Sequence, residues 1–193
     1  DVSAALGGGR IFVGGGFQGG RTDRAGIENV EIATNAQRVT VQSGALLDAS
    51  ATESGNGGEV VIWSDGTTAF AGDIKAVAAS GKGGFAEVSG KEGLVFAGVA
   101  DLRGSAGLGD LLLDPITLTV VDGPIDTLDD AGLGDFQILA GDAEATITDA
   151  KVAAQLTTAN VTLQASGVIM FAPGVEIKWE GQSLLTVEAP AIT

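Results

Sequence analysis

The chain has 193 residues, 31 of them glycine, no histidine, no cysteine and a formal net charge of −15 at pH 7. Lacking His and Cys, it cannot build the usual zinc or iron site, a Ser-His-Asp or Cys-His nucleophile pair, or a disulfide framework, and its acidic excess repels phosphate backbones and anionic lipid. Aromatic residues are 5% with no tyrosine, so the core is expected in thin layers of Val, Ile, Leu and Ala rather than around large rings.

In chain order, the sequence opens at Asp1 without Met or a leader, which reads as a mature segment or a fragment of something longer. A first glycine-flanked strand is expected in GGRIFVGG at 8–15. GALLDA at 44–49 then stands where FAGDIKA and FAGVADL stand in later units, through Gly44, Gly72 and Gly98. The clearest repeat is the pair 57–82 and 83–108. Aligned without gaps, Gly57, Gly58, Phe70, Ala71, Gly72 and Gly81 fall on Gly83, Gly84, Phe96, Ala97, Gly98 and Gly107. A third unit is expected from Gly109, with Leu111, Leu112 and Leu113 in the strand position.

Beyond Pro115 the pattern loosens. Residues 116–148 read as an irregular acidic excursion between a repeat region at 1–115 and a final section at 149–193. One short helix is expected near 149–157, with Asp149 as its N-cap and Ala150, Val152, Ala153 and Leu156 at helical spacing. Three more strands are expected around Val161–Leu163, Val168–Phe171 and Leu184–Val187, continuing the same stack.

Within a unit, Val60, Ile62 and Ser64 alternate with Glu59, Val61, Trp63 and Asp65, the period of a half-buried strand. Glycine-rich corners recur about every 8 to 12 residues, and Gly57, Gly58, Gly72, Gly83, Gly84, Gly98 and Gly109 are the expected structural corners. A repeat of this length with short strands predicts one coil of a parallel β-helix, at about 20–26 residues per coil. The whole chain would give about eight coils, a rod on the order of 40 Å long. A sandwich or barrel explains alternation and turns but not the constant offset. No apolar run approaches the roughly 18 residues that a membrane-spanning helix needs.

The runs GNGGEVVIWSDGTTAFAGDIKA at 55–76, GGFAEVSGKEGLVFAGVADL at 83–102 and LLLDP at 111–115 resemble the passengers of filamentous-haemagglutinin-like proteins, the large exoproteins of bacterial two-partner secretion. DAKVAAQLTTANVTLQASGVI at 149–169 is similar to a segment that often follows LLLDP in them. The resemblance implies an all-β, right-handed parallel β-helix, export through an outer-membrane partner transporter of a Gram-negative bacterium, and a secreted or cell-surface adhesin. The host-cell, surface or bacterial receptor stays open, and no catalysis or cofactor is expected.

Candidate sites are few. The acidic run Asp122, Asp126, Asp129, Asp130 and Asp135 has oxygen ligands suited to Ca²⁺ but no EF-hand or β-roll spacing, and is expected as a solvated loop. The repeated short motif at Gly107–Asp110 and Gly132–Asp135 is expected to form corners. Arg38, Arg103, Lys75 and Lys91 are scattered, and Asp48, Asp73 and Asp101 occupy near-equivalent repeat positions, an architectural pattern rather than a catalytic one. If Val60 and Ile62 face the core, Trp63 points away from it and either stacks on a sugar or partner or packs beneath a loop. A carbohydrate-binding or polysaccharide-processing β-helix is the alternative function, and it predicts a carboxylate-lined cleft beside Trp63 or Trp179. The open ends of such a stack also predict end-to-end self-association.

Overall fold

Alternating apolar residues between glycine corners wind the chain into a parallel β-solenoid of about five turns, with 43% strand and 6% helix among the described residues. The computed structural model describes residues 1–22, 34–124 and 145–193. The first level carries β1 (Arg10–Val13), β2 (Arg38–Val41) and β3 (Leu46–Asp48); the second β4 (Glu59–Ser64), β5 (Thr67–Phe70) and β6 (Asp73–Lys75). The third carries β7 (Phe85–Gly90), β8 (Gly93–Phe96) and β9 (Val99–Asp101). Then come β10 (Asp110–Leu113), β11 (Thr117–Val121), β12 (Ala145–Thr148), helix α1 (Asp149–Gln155), β13 (Asn160–Gln164), β14 (Val168–Phe171), β15 (Leu185–Glu188) and β16 (Ala191–Ile192).

The first face is one six-stranded sheet, ordered β1-β4-β7-β10-β13-β15, with every pairing parallel. Its register stacks Ile11, Val60, Ala86, Leu111, Val161 and Leu185 into one inward column. Val60, Ala86, Leu111 and Val161 are fully buried. Because the side-chain period is two, any one-residue slip would turn these columns outward. The core is aliphatic apart from the stacked rings of Phe70 and Phe96, whose centroids are 5.8 Å apart.

Five turns replace the expected eight because the step between levels is uneven. Glu59 sits over Phe85 after 26 residues, but Arg10 pairs with Glu59 after 49 and Asp110 with Asn160 after 50. Those two steps are nearly twice the repeat, so dividing length by repeat overcounts coils. The third unit also shortens by one residue: Phe85 pairs with Asp110, an offset of 25. Gly109 therefore stacks on Gly84, not on Gly83 as the ungapped alignment predicts. On the opposite corner Leu46 pairs with Asp73, so Ala45, not Gly44, lies against Gly72.

The corners explain the glycines. A Cβ on Gly57 or Gly83 would collide with the carbonyl oxygen of Ala76 or Leu102. Those same carbonyls accept the N–H of Gly84 and Gly109 at 2.8 and 2.7 Å. The backbone turns so tightly there that hydrogen bond and side chain compete for one space.

The stretch 116–148 is not irregular throughout, since it contains β11 and β12. The second face continues from the sheet β2-β5-β8 into one ordered β12-β11-β14-β16, with β12 beside β8. The chain therefore lays down β11 first and returns to place β12 between β8 and β11. Helix α1 then takes the place of a strand on the third face, next to β3-β6-β9. Its N-cap is Thr148, whose hydroxyl accepts the Lys151 N–H at 3.2 Å, one residue before the position read from sequence. Asp149 is instead the first helical residue. Its carboxylate accepts N–H bonds from Ala150 at 2.7 Å, Glu176 at 2.8 Å and Gly123 at 3.3 Å.

Candidate functional site

Alternation on β4 buries both faces, contrary to a half-buried strand. Val60 and Ile62 enter the main core, while Val61 and Trp63 join Phe85 and Leu112 in a second apolar cluster on the outer side. A strap formed by residues 14–21 lies over this cluster, beginning at Gly14 with φ +79° and turning through a short 3₁₀ segment at Phe17–Gly19. Phe17 meets the Phe85 ring edge-on at 5.9 Å. Trp63 thus points away from the main core, as its parity requires, but it is only 7% exposed. A Cβ on Gly19 would come within 3.1 Å of its ring, so the strap, not a ligand, covers the indole.

Gln18 holds the strap down. It is the one non-glycine residue with positive φ among the described residues, at +43°. Its backbone N–H donates to both carboxylate oxygens of the buried Glu87, at 3.2 and 3.0 Å. Its side-chain amide donates to Asp114 Oδ2 at 2.9 Å and to Gln164 Oε1 at 3.1 Å. One residue from the first turn thereby bridges β7, the corner after β10, and β13. Beside it, Asp65 Oδ1 accepts the Trp63 indole N–H at 3.0 Å and the Asn35 amide at 3.1 Å.

Between the strap and the corner after β10 opens a cleft of about 350 Å³, lined among others by Arg21, Trp63, Asp65, Lys91, Asp114 and Gln164, so the carboxylate-lined cleft expected beside Trp63 is present, with only the edge of the indole reaching it. Burial pushes the Asp114 carboxyl above the usual carboxylate range, while the Gln18 amide and the Arg21 charge pull the other way. Two carboxylates and two cations in one small cleft suit a neutral polar or zwitterionic ligand better than a polyanion.

The second tryptophan lies elsewhere. Trp179 is 38% exposed and donates its indole N–H to the Ser183 carbonyl at 3.3 Å. It borders a shallow groove of about 800 Å³ floored by Ala150, Ala153 and Ala154 of α1, with Glu176 and Glu180 on the rim. Glu176 is paired with Lys178 at 2.7 Å. Here an aromatic ring is available to solvent, unlike at Trp63.

The remaining predicted positions separate. Asp48, Lys75 and Asp101 stack in register on the third face, and Arg103 clasps Asp101 through a 2.6 Å ion pair. The Arg103 hydrogen bond holds the Asp101 carboxyl below its ordinary range. Asp73 pairs with Leu46 and Val99, away from that ladder. Among the described residues, no three acidic side chains converge as a metal site would need. Asp126, Asp129, Asp130, Asp135 and the Gly132–Asp135 motif lie outside the described residues. Sequence reasoning missed Gln18, Glu87, Asp114 and Gln164, which meet only after register brings them together. The available signal was Glu87 itself, a charge in a strand position whose register neighbours are Val61 and Leu112.

The chain matches no protein-family model and no curated protein.

Proposed function

We propose that the chain is a rigid, non-catalytic segment of a large adhesin, secreted or displayed on a Gram-negative cell surface through an outer-membrane partner transporter. The observation that carries this reading is the unbroken parallel ladder of six strands from β1 to β15. Such a ladder joins every level by backbone hydrogen bonds, which resists bending and stretching along its axis. The resemblance of residues 55–76 and 83–115 to filamentous-haemagglutinin-like passengers supports the export route and the surface role. Binding surfaces on such a rod are outward side chains and corner loops, which vary without disturbing the inward columns. Displaying the chain on a non-adherent Gram-negative strain should raise attachment to epithelial or abiotic surfaces above that of a strain displaying an unrelated β-solenoid. No gain in attachment would overturn the adhesin reading.

A second reading is a carbohydrate-binding β-helix, favoured by the half-exposed Trp179 beside acidic side chains and an apolar floor. Sugar rings stack their apolar faces on such indoles while carboxylates accept hydrogen bonds from their hydroxyls. Binding of a neutral glycan that is abolished by Trp179→Ala and retained by Trp63→Phe would favour it over the stalk.

A further inference from the structure

We propose that the strap is a clasp that makes the levels of the solenoid from β1 to β13 open together. In a stack of repeats each level touches only the levels on either side, so stability is a sum of nearest-neighbour terms and one part can open without the rest. Gln18 departs from that pattern. It follows β1 on the first level, yet it is bonded to Glu87 on β7, to Asp114 just after β10, and to Gln164 on β13, which are the third, fourth and fifth strands of the first face. At about 4.8 Å per level, the strap reaches on the order of 15–20 Å along the stack.

The ties are graded along the axis. Parting the first level from the second, or the second from the third, breaks every one of these Gln18 bonds together with the edge-on contact of Phe17 and Phe85. Parting the third from the fourth breaks the bonds to Asp114 and Gln164, and parting the fourth from the fifth breaks the bond to Gln164 alone. The outer apolar cluster adds to the same coupling. Val61 and Trp63 on β4, Phe85 on β7 and Leu112 on β10 form one patch across three levels, and Phe17 of the strap packs against it.

Two features make the clasp all-or-none. Glu87 is fully buried between its register neighbours Val61 and Leu112, so a strap that slid part-way aside would leave a buried carboxylate without the Gln18 N–H. Gln18 also holds φ +43°, a conformation that persists in a non-glycine residue only where its surroundings over-determine it. All of these ties lie within the levels from β1 to β13, so the coupling is the same whether or not further levels continue beyond β1 or β15.

Native-state hydrogen exchange on the whole chain tests the clasp, with the amides of β4 and of β13 followed as denaturant is raised. In the natural chain the two groups should share one opening, with the same free energy and the same dependence on denaturant. Gln18→Ala keeps the backbone N–H on Glu87 and removes the ties to Asp114 and Gln164. It should split the two groups, their exchange rates parting by roughly tenfold or more. A strap that merely added stability would instead speed both groups by one factor. Gln164→Ala severs the last tie from the other side and leaves the strap itself unaltered. Its split should be smaller, and combining it with Gln18→Ala should add nothing to that of Gln18→Ala. Separate openings of β4 and β13 in the natural chain, or equal acceleration of both in either variant, would overturn the proposal.

Discussion

Gln155 Oε1 accepts the backbone N–H of Ala100 at 3.0 Å, so a helix side chain stands in for the strand that would otherwise follow β9. The same edge is served by Thr158, whose hydroxyl donates to the Ala100 carbonyl at 2.8 Å and whose carbonyl accepts the Leu102 N–H at 3.1 Å. Lys151 adds a 2.6 Å bond from its ammonium to the Ala97 carbonyl. Helix α1 therefore ends the three-stranded sheet without leaving its polar edge unmet.

Gln155→Leu should test this cap. Both Gln155 and Ala100 are buried, so the leucine leaves the Ala100 N–H without its partner at a cost of about 1–3 kcal/mol. For a chain of this size the expected loss in melting temperature is roughly 2–4 °C per kcal/mol. Calorimetry reads it directly; an unchanged melting temperature would mean that α1 does not support β9.

The strap gives a second prediction because Gln18 combines a strained backbone with a useful side chain. Gln18→Ala keeps the left-handed backbone and loses the bonds to Asp114 and Gln164; Gln18→Gly loses the same bonds but relieves the strain. Left-handed conformation costs an ordinary residue about 1–2 kcal/mol. Both variants should be less stable than the natural chain, and the alanine variant the less stable of the two. Denaturant midpoints ranked in the opposite order would count against the strain argument.

The sequence carried the solenoid, the strands after 149 and the short helix because these depend on local periodicity, which each unit states for itself. It misplaced Gly109 by one residue because an ungapped repeat cannot record a single deletion and Gly83 and Gly84 both offer a glycine partner, and Gly44 because matching glycine to glycine hid that Ala45 lies against Gly72. It overcounted coils because nothing local marks the long steps from Arg10 to Glu59 and from Asp110 to Asn160. The strap site was the least legible part. Gln18 lies 69 residues from Glu87 and 146 from Gln164, and neither spacing is a multiple of the repeat.

Corner glycines separate into two kinds, which mutation should distinguish. Gly83→Ala drives a methyl into the Leu102 carbonyl and must open the corner, so a loss of several kcal/mol or failure to fold is expected. Gly107, at φ +138°, has nothing within 4 Å of where a Cβ would stand, so Gly107→Ala meets only backbone strain of about 1–3 kcal/mol. Comparable melting temperatures for the two variants would contradict the close-approach explanation.

Asp149 predicts a pH dependence of one sign. Backbone N–H bonds, led by that of Glu176, hold its carboxyl below the ordinary value of 3.8. A lowered folded-state pKa adds stability above the unfolded value, and that stability fades as pH falls through the folded value. Asp149→Asn should therefore melt lower than the natural chain at pH 7. The gap should begin to close as pH drops below about 3.8 and vanish beneath the folded value. A gap independent of pH would assign the effect to helix geometry alone.

Asp114 predicts the opposite sign. Burial in the cleft raises its pKa above 3.8, so ionisation opposes folding: relative stability is greatest below the unfolded value and is lost as pH rises through the folded one. Asp114→Asn keeps an acceptor for the Gln18 amide and removes the buried charge. It should melt at least as high as the natural chain at neutral pH, with the advantage shrinking once acid protonates the natural carboxyl. A lower melting temperature at pH 7 that recovers in acid would mean that the charge itself holds the strap, through Gln18 and Arg21, against the cost of its burial.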